Sequence, residues 1–404
     1  MTTNGGGAQH VPSLKDIHDT FSAWMAFTDD ERRFDPIDIA LATIVANRMD
    51  GDPVWTFLVA PPSGGKTEII RSFNDVPDTF PLSSLTPQTF ASGFERKGGE
   101  TSLLPRLDGK TVTLKDFGTV LTMYHDARAE ILAQLREIYD GSFTKEWGNG
   151  KSFKWSGKVG MLAGCTPIID QPGVSALSAA LGERFIIYRL KTPPARSLAR
   201  RAIAQQTAMV ADLRNTLREI VAQFLDTLLP VSPPMPAEVA EGLAALAEYT
   251  SIARSPVKWN DRRDEIEFVP PPEAPGRLAK QLALLARALA VVRGEHEVSL
   301  STYITVHQVA QDTPPATRST MLKAVVEPGQ SGPIETKAVA LATRYPTHTA
   351  RRYLQELAVL QLVERISEGQ GYADRWAPST YMLELLDAMK RPIDGLSLYS
   401  ESTA

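Results

Sequence analysis

Apolar residues recur along this chain at two spacings, and the changes of spacing mark its elements. Over 13–27 and 36–48 they return every three or four positions, which predicts two lead-in helices. From position 54 the pattern becomes short unbroken runs: 54–59 (VWTFLV), 111–114 (TVTL), 160–163 (GMLA) and 185–190 (FIIYRL). Each run suits a strand buried on both faces, and helical patterns such as 127–139 lie between them. This alternation predicts an α/β sheet with crossover helices. Residues 195–229 and 276–293 read as helices rich in Ala and Leu, and 316–380 returns to short helices followed by strands.

Proline clusters punctuate the pattern at Pro193-Pro194, Pro233-Pro234 and Pro270-Pro271-Pro272. The expected division is a tail and lead-in helix (1–35), an α/β core (36–195), a helical lid (196–313), a small module (314–385) and a C-terminal tail (386–404). A length of 404 residues suits two or three domains, and 43% hydrophobic residues suffice for a packed core. No run of about 18 apolar residues occurs, so no membrane span is expected. The N-terminal residues lack a secretory pattern and Cys165 is the single cysteine, which points to a reducing, cytoplasmic setting. A net charge of −4 excludes a uniformly basic nucleic-acid coat, so any DNA contact must come from local patches.

The sharpest motif is Ala60-Pro-Pro-Ser-Gly-Gly-Lys-Thr67, a phosphate-loop pattern with Ala60 in place of the first glycine. Gly64 and Gly65 let backbone amides close around phosphate oxygens, with Pro62, Ser63 and Glu68 beside them. Lys66 would reach the β- and γ-phosphates of ATP, and the Thr67 hydroxyl would ligate Mg²⁺. An acid for the metal is expected at a neighbouring strand end, and Asp116 stands there; capping of the next helix is its other reading. Phe117 follows where ATPases of this type carry the Glu that polarises water. A base must then come from elsewhere, with Glu130 and Glu137 as candidates, or hydrolysis is slow. Thr166 follows the strand at 160–163 and is placed to orient water, or else simply forms the turn before Pro167. Arg184 opens an apolar strand, where its charge needs a partner: either a neighbouring subunit's phosphates, or Glu183 or Asp170.

The ordered series GGKT, LKDF, AGCTP and GERF, followed by Glu273-Ala-Pro-Gly-Arg-Leu278, resembles an AAA+ ATPase. Within that group it is most similar to the MCM-like helicases and their relatives in phages and mobile elements, over about residues 40–385. The resemblance implies Lys66 and Thr67 as Walker A, Asp116 as Walker B, Thr166 near sensor 1, Arg184 as an arginine finger acting in trans, and Arg277 as sensor 2. It also implies ATP and Mg²⁺ as cofactors and a ring-shaped homo-oligomer, a hexamer, as the working form. The separate N-terminal DNA-binding domain of cellular MCM proteins is not recognised in the chain.

Between Asp116 and Thr166, Asn149-Gly150 predicts a β-hairpin with Lys145, Lys151 and Lys154 among Phe143, Trp147, Phe153 and Trp155. Cations beside aromatics suit a DNA strand; aromatics packed on the domain body are the alternative. In MCM-like proteins a hairpin at this position grips DNA in the central pore. The order of elements from 314 to 385 resembles a winged helix-turn-helix, with His348, Arg351 and Arg352 on its third helix facing DNA. The leading expectation is therefore an ATP-driven motor on single-stranded or forked DNA. An ATP-dependent switch, such as a helicase loader or a transcription or transposition regulator, is the alternative, and a MoxR-like remodelling chaperone a third class.

Overall fold

The computed structural model describes residues 11–91, 102–148, 150, 152–171, 184–204, 207–260, 262, 265–327, 332–367 and 373–400, with side chains at 207–208 and 394–400 left aside. Its centre is a parallel sheet of β1 (Trp55–Val59), β2 (Thr79–Leu82), β3 (Thr111–Leu114), and, beyond a separate hairpin of β4 (Ser142–Glu146) and β5 (Ser152–Ser156), β6 (Gly160–Cys165) and β7 (Phe185–Arg189). The order across the sheet is β2-β3-β6-β1-β7. The mixed α/β class expected from the sequence holds, with one strand more than the apolar runs predicted. That strand, β2, lies at the sheet edge and contains Pro81. An edge position tolerates a residue with no N–H to donate, and the short, half-polar run gave no periodic signal.

The sheet divides two cores, and alternation along each strand decides the sides. Trp55, Phe57 and Val59 of β1 face one core with Met161, Ala163, Phe185 and Ile187, whereas Leu58, Leu162, Ile186 and Tyr188 face the other. On the second side, α1 (Leu14–Trp24) starts at Ser13 through a capping box with Asp16 and buries Ile17, Phe21 and Trp24. Helix α2 (Asp35–Arg48), with Pro36 in its first turn, is buried along nearly all its length. Helix α3 (Lys66–Arg71) follows β1. On the first side lie α4 (Leu104–Leu107), α5 (Gly118–Leu121) and α6 (His125–Tyr139).

The helical region comprises α7 (Ala195–Ala204), α8 (Thr207–Thr227), α9 (Ala237–Ala253), α10 (Gly276–Arg293) and α11 (Leu300–Asp312), with a small hairpin of β8 (Lys258–Trp259) and β9 (Ile266–Phe268). The C-terminal module has α12 (Ala316–Val326), β10 (Ile334–Glu335), α13 (Thr336–Thr343), α14 (Thr347–Val359), β11 (Val363–Ile366) and β12 (Arg375–Pro378), the strands forming one antiparallel sheet. Its core is continuous with that of the helical region. Buried Arg318 donates to the carbonyls of Ala253 and Ser255 and to Glu356, 2.8 Å away, and Glu356 also accepts from the Trp259 indole. Removing either charge would strand the other in a low-dielectric interior.

Helix α15 (Thr380–Ser400) runs through position 386, where the sequence suggested that a tail begins. Its Met382, Leu385 and Met389 are buried, and the Met389 carbonyl accepts from the buried Tyr303 hydroxyl. Apolar spacing therefore carries the helix past the expected boundary. Among the described residues no helix is long and apolar enough to cross a membrane.

Candidate functional site

Strand register brings three of the predicted positions together. Val59 of β1 pairs with Cys165 of β6, and Leu114 of β3 with Ala163. The loop at 60–67, Thr166 and Asp116 therefore leave the sheet side by side at the carboxyl ends of β1, β6 and β3. Ligands of open α/β sheets bind in such a crevice. Close approach explains a glycine here: a Cβ on Gly164 would stand 2.4 Å from the Lys115 carbonyl. Cys165 ends β6 fully buried, which pushes its thiol up to about 12 and leaves it inert.

The loop itself turns through two residues in the left-handed region, Ser63 (φ +62°) and Gly65 (φ +90°). Lys66 is 6% exposed and its ammonium lies 3.2 Å from the carbonyls of both Ala60 and Pro61. Burial lowers its pKa from the usual lysine value, and the nearby Asp116 carboxylate opposes that shift. One Asp116 oxygen accepts from the Gly118 N–H at 2.9 Å, so the capping interaction considered for this residue exists. Its other oxygen has no hydrogen-bond partner among the described residues. Thr67, half-buried, follows Lys66 in the first turn of α3.

A cavity of about 560 Å³ opens on the loop, a size typical of small-molecule sites. Pro62, Ser63, Gly64, Gly65, Lys66, Thr67 and Glu68 form its floor. Its walls come from regions that sequence reasoning left out: Met25, Phe27 and Thr28 after α1, Leu190 to Pro193 after β7, and the facing sides of α7 and α8. Among the described residues six cations line it, Arg32, Arg33, Lys66, Lys191, Arg201 and Arg214, against one carboxylate, Glu68. That balance gives the lining a net positive charge beside an apolar flank. Arg201 is fixed by donating to the carbonyls of Ser22 and Trp24, and Lys191 pairs with Asp30 at 3.0 Å. No motif announces these residues; only the fold of α7 and α8 back over the loop assembles them.

Phe117 is fully buried, its ring 4.8 Å from that of Phe57 and 5.6 Å from that of Phe185. An acid at this position would be desolvated in an aromatic cluster rather than aimed at water. The two candidate bases lie elsewhere. Glu130 accepts from Gln134 and pairs with Lys145 of the hairpin at 3.2 Å, and neither it nor Glu137 lines the cavity; Asp116 and Thr166 stand at the same sheet end as the loop but do not line the cavity either.

Arg184 and Arg277 occupy the opposite end of the sheet. Phe185 pairs with Trp55, so Arg184 sits where β1 begins, a five-residue strand or about 16 Å from the loop. Arg184 is 7% exposed and its guanidinium bonds Asp140, 2.5 Å away, while its carbonyl accepts from Gln281. Among the described residues Asp140 is its carboxylate; Asp170 is taken by Arg189 through two bonds of 2.7 and 2.8 Å, and Glu183 lies outside the described residues. Arg277 stands at the start of α10, 3.0 Å from Glu273, and both arginines lie over the Tyr139 ring. A second cavity of about 500 Å³ opens there beside Asp52, Asp140, Lys158 and Lys280.

The hairpin forms as expected, with Gly150 at φ +81° in its turn; Asn149 and Lys151 lie outside the described residues. Pairing of Lys145 with Phe153, and of Phe143 with Trp155, puts these four on one face, where Phe143 is buried, Phe153 and Trp155 pack toward the core and Lys145 meets Glu130. The aromatics thus serve the domain body. Lys154, paired with Thr144, lies exposed on the polar face. On α14, His348 and Arg351 are exposed, while Arg352 lies over the Tyr353 ring at 4.8 Å. No protein-family model matches the chain, and no curated protein matches it.

Proposed function

We propose that the chain is a phosphate-loop ATPase of the AAA+ type that acts on DNA as an MCM-like motor, a helicase or translocase, in a ring of like subunits. One observation carries the reading: Lys66 and Thr67, after β1, line a cation-rich cavity, and Asp116, after β3 on the far side of β6, stands at the same end of the sheet near enough to act on the Lys66 charge, while Arg184 and Arg277 lie a strand length away. The first set would hold ATP. The second cannot reach it and would serve a neighbouring subunit's nucleotide.

In this reading Lys66 neutralises the β- and γ-phosphates, and its low exposure strengthens that attraction. Thr67 and the free oxygen of Asp116 are hard oxygen donors that fit Mg²⁺, which takes few protein ligands and completes its shell with phosphate and water. The ion supplies neutralisation of the charge that develops during phosphoryl transfer. Arg184 would add a donor fork from the next subunit, exchanging Asp140 for phosphate. The C-terminal module is read as a winged helix that presents His348 and Arg351, and the exposed Lys154 is read as the hairpin's contact to DNA backbone.

The test is ATP hydrolysis by purified protein with and without forked DNA. Stimulation by DNA, lost in Lys66→Ala, supports the motor; hydrolysis indifferent to both would sink it. A second reading, a slow ATP-dependent switch such as a helicase loader or a regulator, is favoured by buried Phe117. Strand displacement separates the two, because a switch shows none.

A further inference from the structure

Among the described residues Glu68 is the one carboxylate lining the cation-rich cavity, and it follows directly on Thr67. Arg214, from the middle of α8, holds it with a two-pronged contact: Nε donates to Oε2 at 2.8 Å and Nη2 to Oε1 at 2.7 Å. The same guanidinium lies over the Trp24 ring, 5.5 Å from its centroid, which fixes its approach from the side of α1. A single longer contact from Arg71, 3.3 Å to Oε1, joins the pair from outside. Parallel bonds of this kind favour both charges in one orientation and make Arg more than a point charge.

We propose that Arg214 cancels the charge of Glu68 on the floor of the cavity and thereby sets its preference for nucleoside polyphosphates. The inference rests on the nucleotide reading above and names a residue that reading lacks. A carboxylate one position from Thr67 would, alone, repel every phosphate bound over the loop. Paired, it is electrically silent and orders the first turn of α3. Arg214 acts through Glu68 and is therefore a positioning residue. The consequence is a graded one, because repulsion grows with the number of phosphates while a loss of folding does not discriminate among them.

The measurement is binding of ATP, ADP and AMP with Mg²⁺, at low salt, by calorimetry. Arg214→Ala is expected to weaken ATP by about tenfold, ADP by less and AMP hardly at all. Glu68→Gln should act in the opposite sense and tighten ATP, since it leaves the arginine unopposed. The double variant should return to within about twofold of the wild type, as expected for partners whose effects cancel. Equal losses for all three nucleotides, or a double variant no better than Arg214→Ala, would overturn the proposal while leaving the nucleotide reading intact. Should Arg214→Ala fail to fold, Glu68→Gln decides alone: weaker ATP binding contradicts the proposal. Wild-type protein that binds none of the three nucleotides removes the nucleotide reading and this inference together.

Discussion

The two ends of the central sheet carry the same kinds of residue to different purposes. At the carboxyl end, Lys66 is held by backbone carbonyls, and among the described residues one Asp116 oxygen has no hydrogen-bond partner and six cations line the cavity over Lys66. At the amino end, Arg184 and Arg277 are already held by Asp140 and Glu273 around Tyr139. Both ends hold paired cations, since Arg214 and Lys191 at the carboxyl end meet Glu68 and Asp30. In the proposed reading the carboxyl end receives the nucleotide, and Arg184 and Arg277, a strand length away, would exchange their carboxylates for the phosphates of a neighbouring copy.

The sharpest way to break this comparison is Lys66→Ala, which is expected to abolish ATP hydrolysis, measured as phosphate release, while nucleotide-independent stability stays near the wild type. Arg184→Ala should cost about 10³-fold in turnover, in keeping with arginines that act in trans on phosphoryl transfer. Its nucleotide affinity, measured by calorimetry, should change by only a few-fold. A comparable loss of affinity would move Arg184 into its own subunit's site.

A third prediction concerns the prop beneath the carboxyl end. Asp312 accepts from the Arg189 N–H at the end of β7, and burial pushes its pKa up to about 6, above the 3.8 of an unhindered carboxyl. Between those values the folded state binds the extra proton, so Asp312 stabilises the fold at acid pH and progressively loses that contribution as pH rises through 6. Unfolding free energies of wild type and Asp312→Asn, from denaturant titrations, should shift in the variant's favour by about 2 kcal/mol between pH 4 and 7. His307, on the same helix, runs the other way. Burial lowers it to about 4, so it is neutral when folded, and its contribution is lost as pH falls from 6.5 through 4. His307→Gln should therefore flatten the acid limb alone.

The smallest effect is expected at the hairpin. Lys154→Ala should weaken binding of single-stranded DNA by a few-fold and reduce its salt dependence by about one ion, with basal hydrolysis unchanged. Lys145→Ala should do less, because Lys145 is committed to Glu130.

The sheet was legible wherever burial on both faces produced an unbroken apolar run, as at 55–59 and 185–189. It failed at β2, whose edge position allows Pro81 and polar neighbours. The phosphate loop was legible because local chemistry defines it: glycines, a lysine and a threonine at fixed spacing. Arg201 and Arg214 were not, since nothing local distinguishes a helical arginine that meets the loop from one in solvent; 146 positions separate Arg214 from Glu68. Phe117 was visible as a departure from an acidic pair, but only its packing against Phe57 and Phe185 explains it. The hairpin's aromatics left two readings open in the sequence, and only register separates them, with Lys145 on the aromatic face and Lys154 on the other.

The central claim, that nucleotide is held by one copy and completed by the next, is tested most directly by mixing two inactive variants. Lys66→Ala lacks the receiving half-site and Arg184→Ala the donating one. Randomly mixed in equal amounts, they should regain about a quarter of wild-type hydrolysis, since one interface in four joins an intact Lys66 to an intact Arg184 across a head-to-tail contact. Mixtures that stay as inactive as their components, although the two variants assemble with each other as wild-type subunits do, would contradict the account.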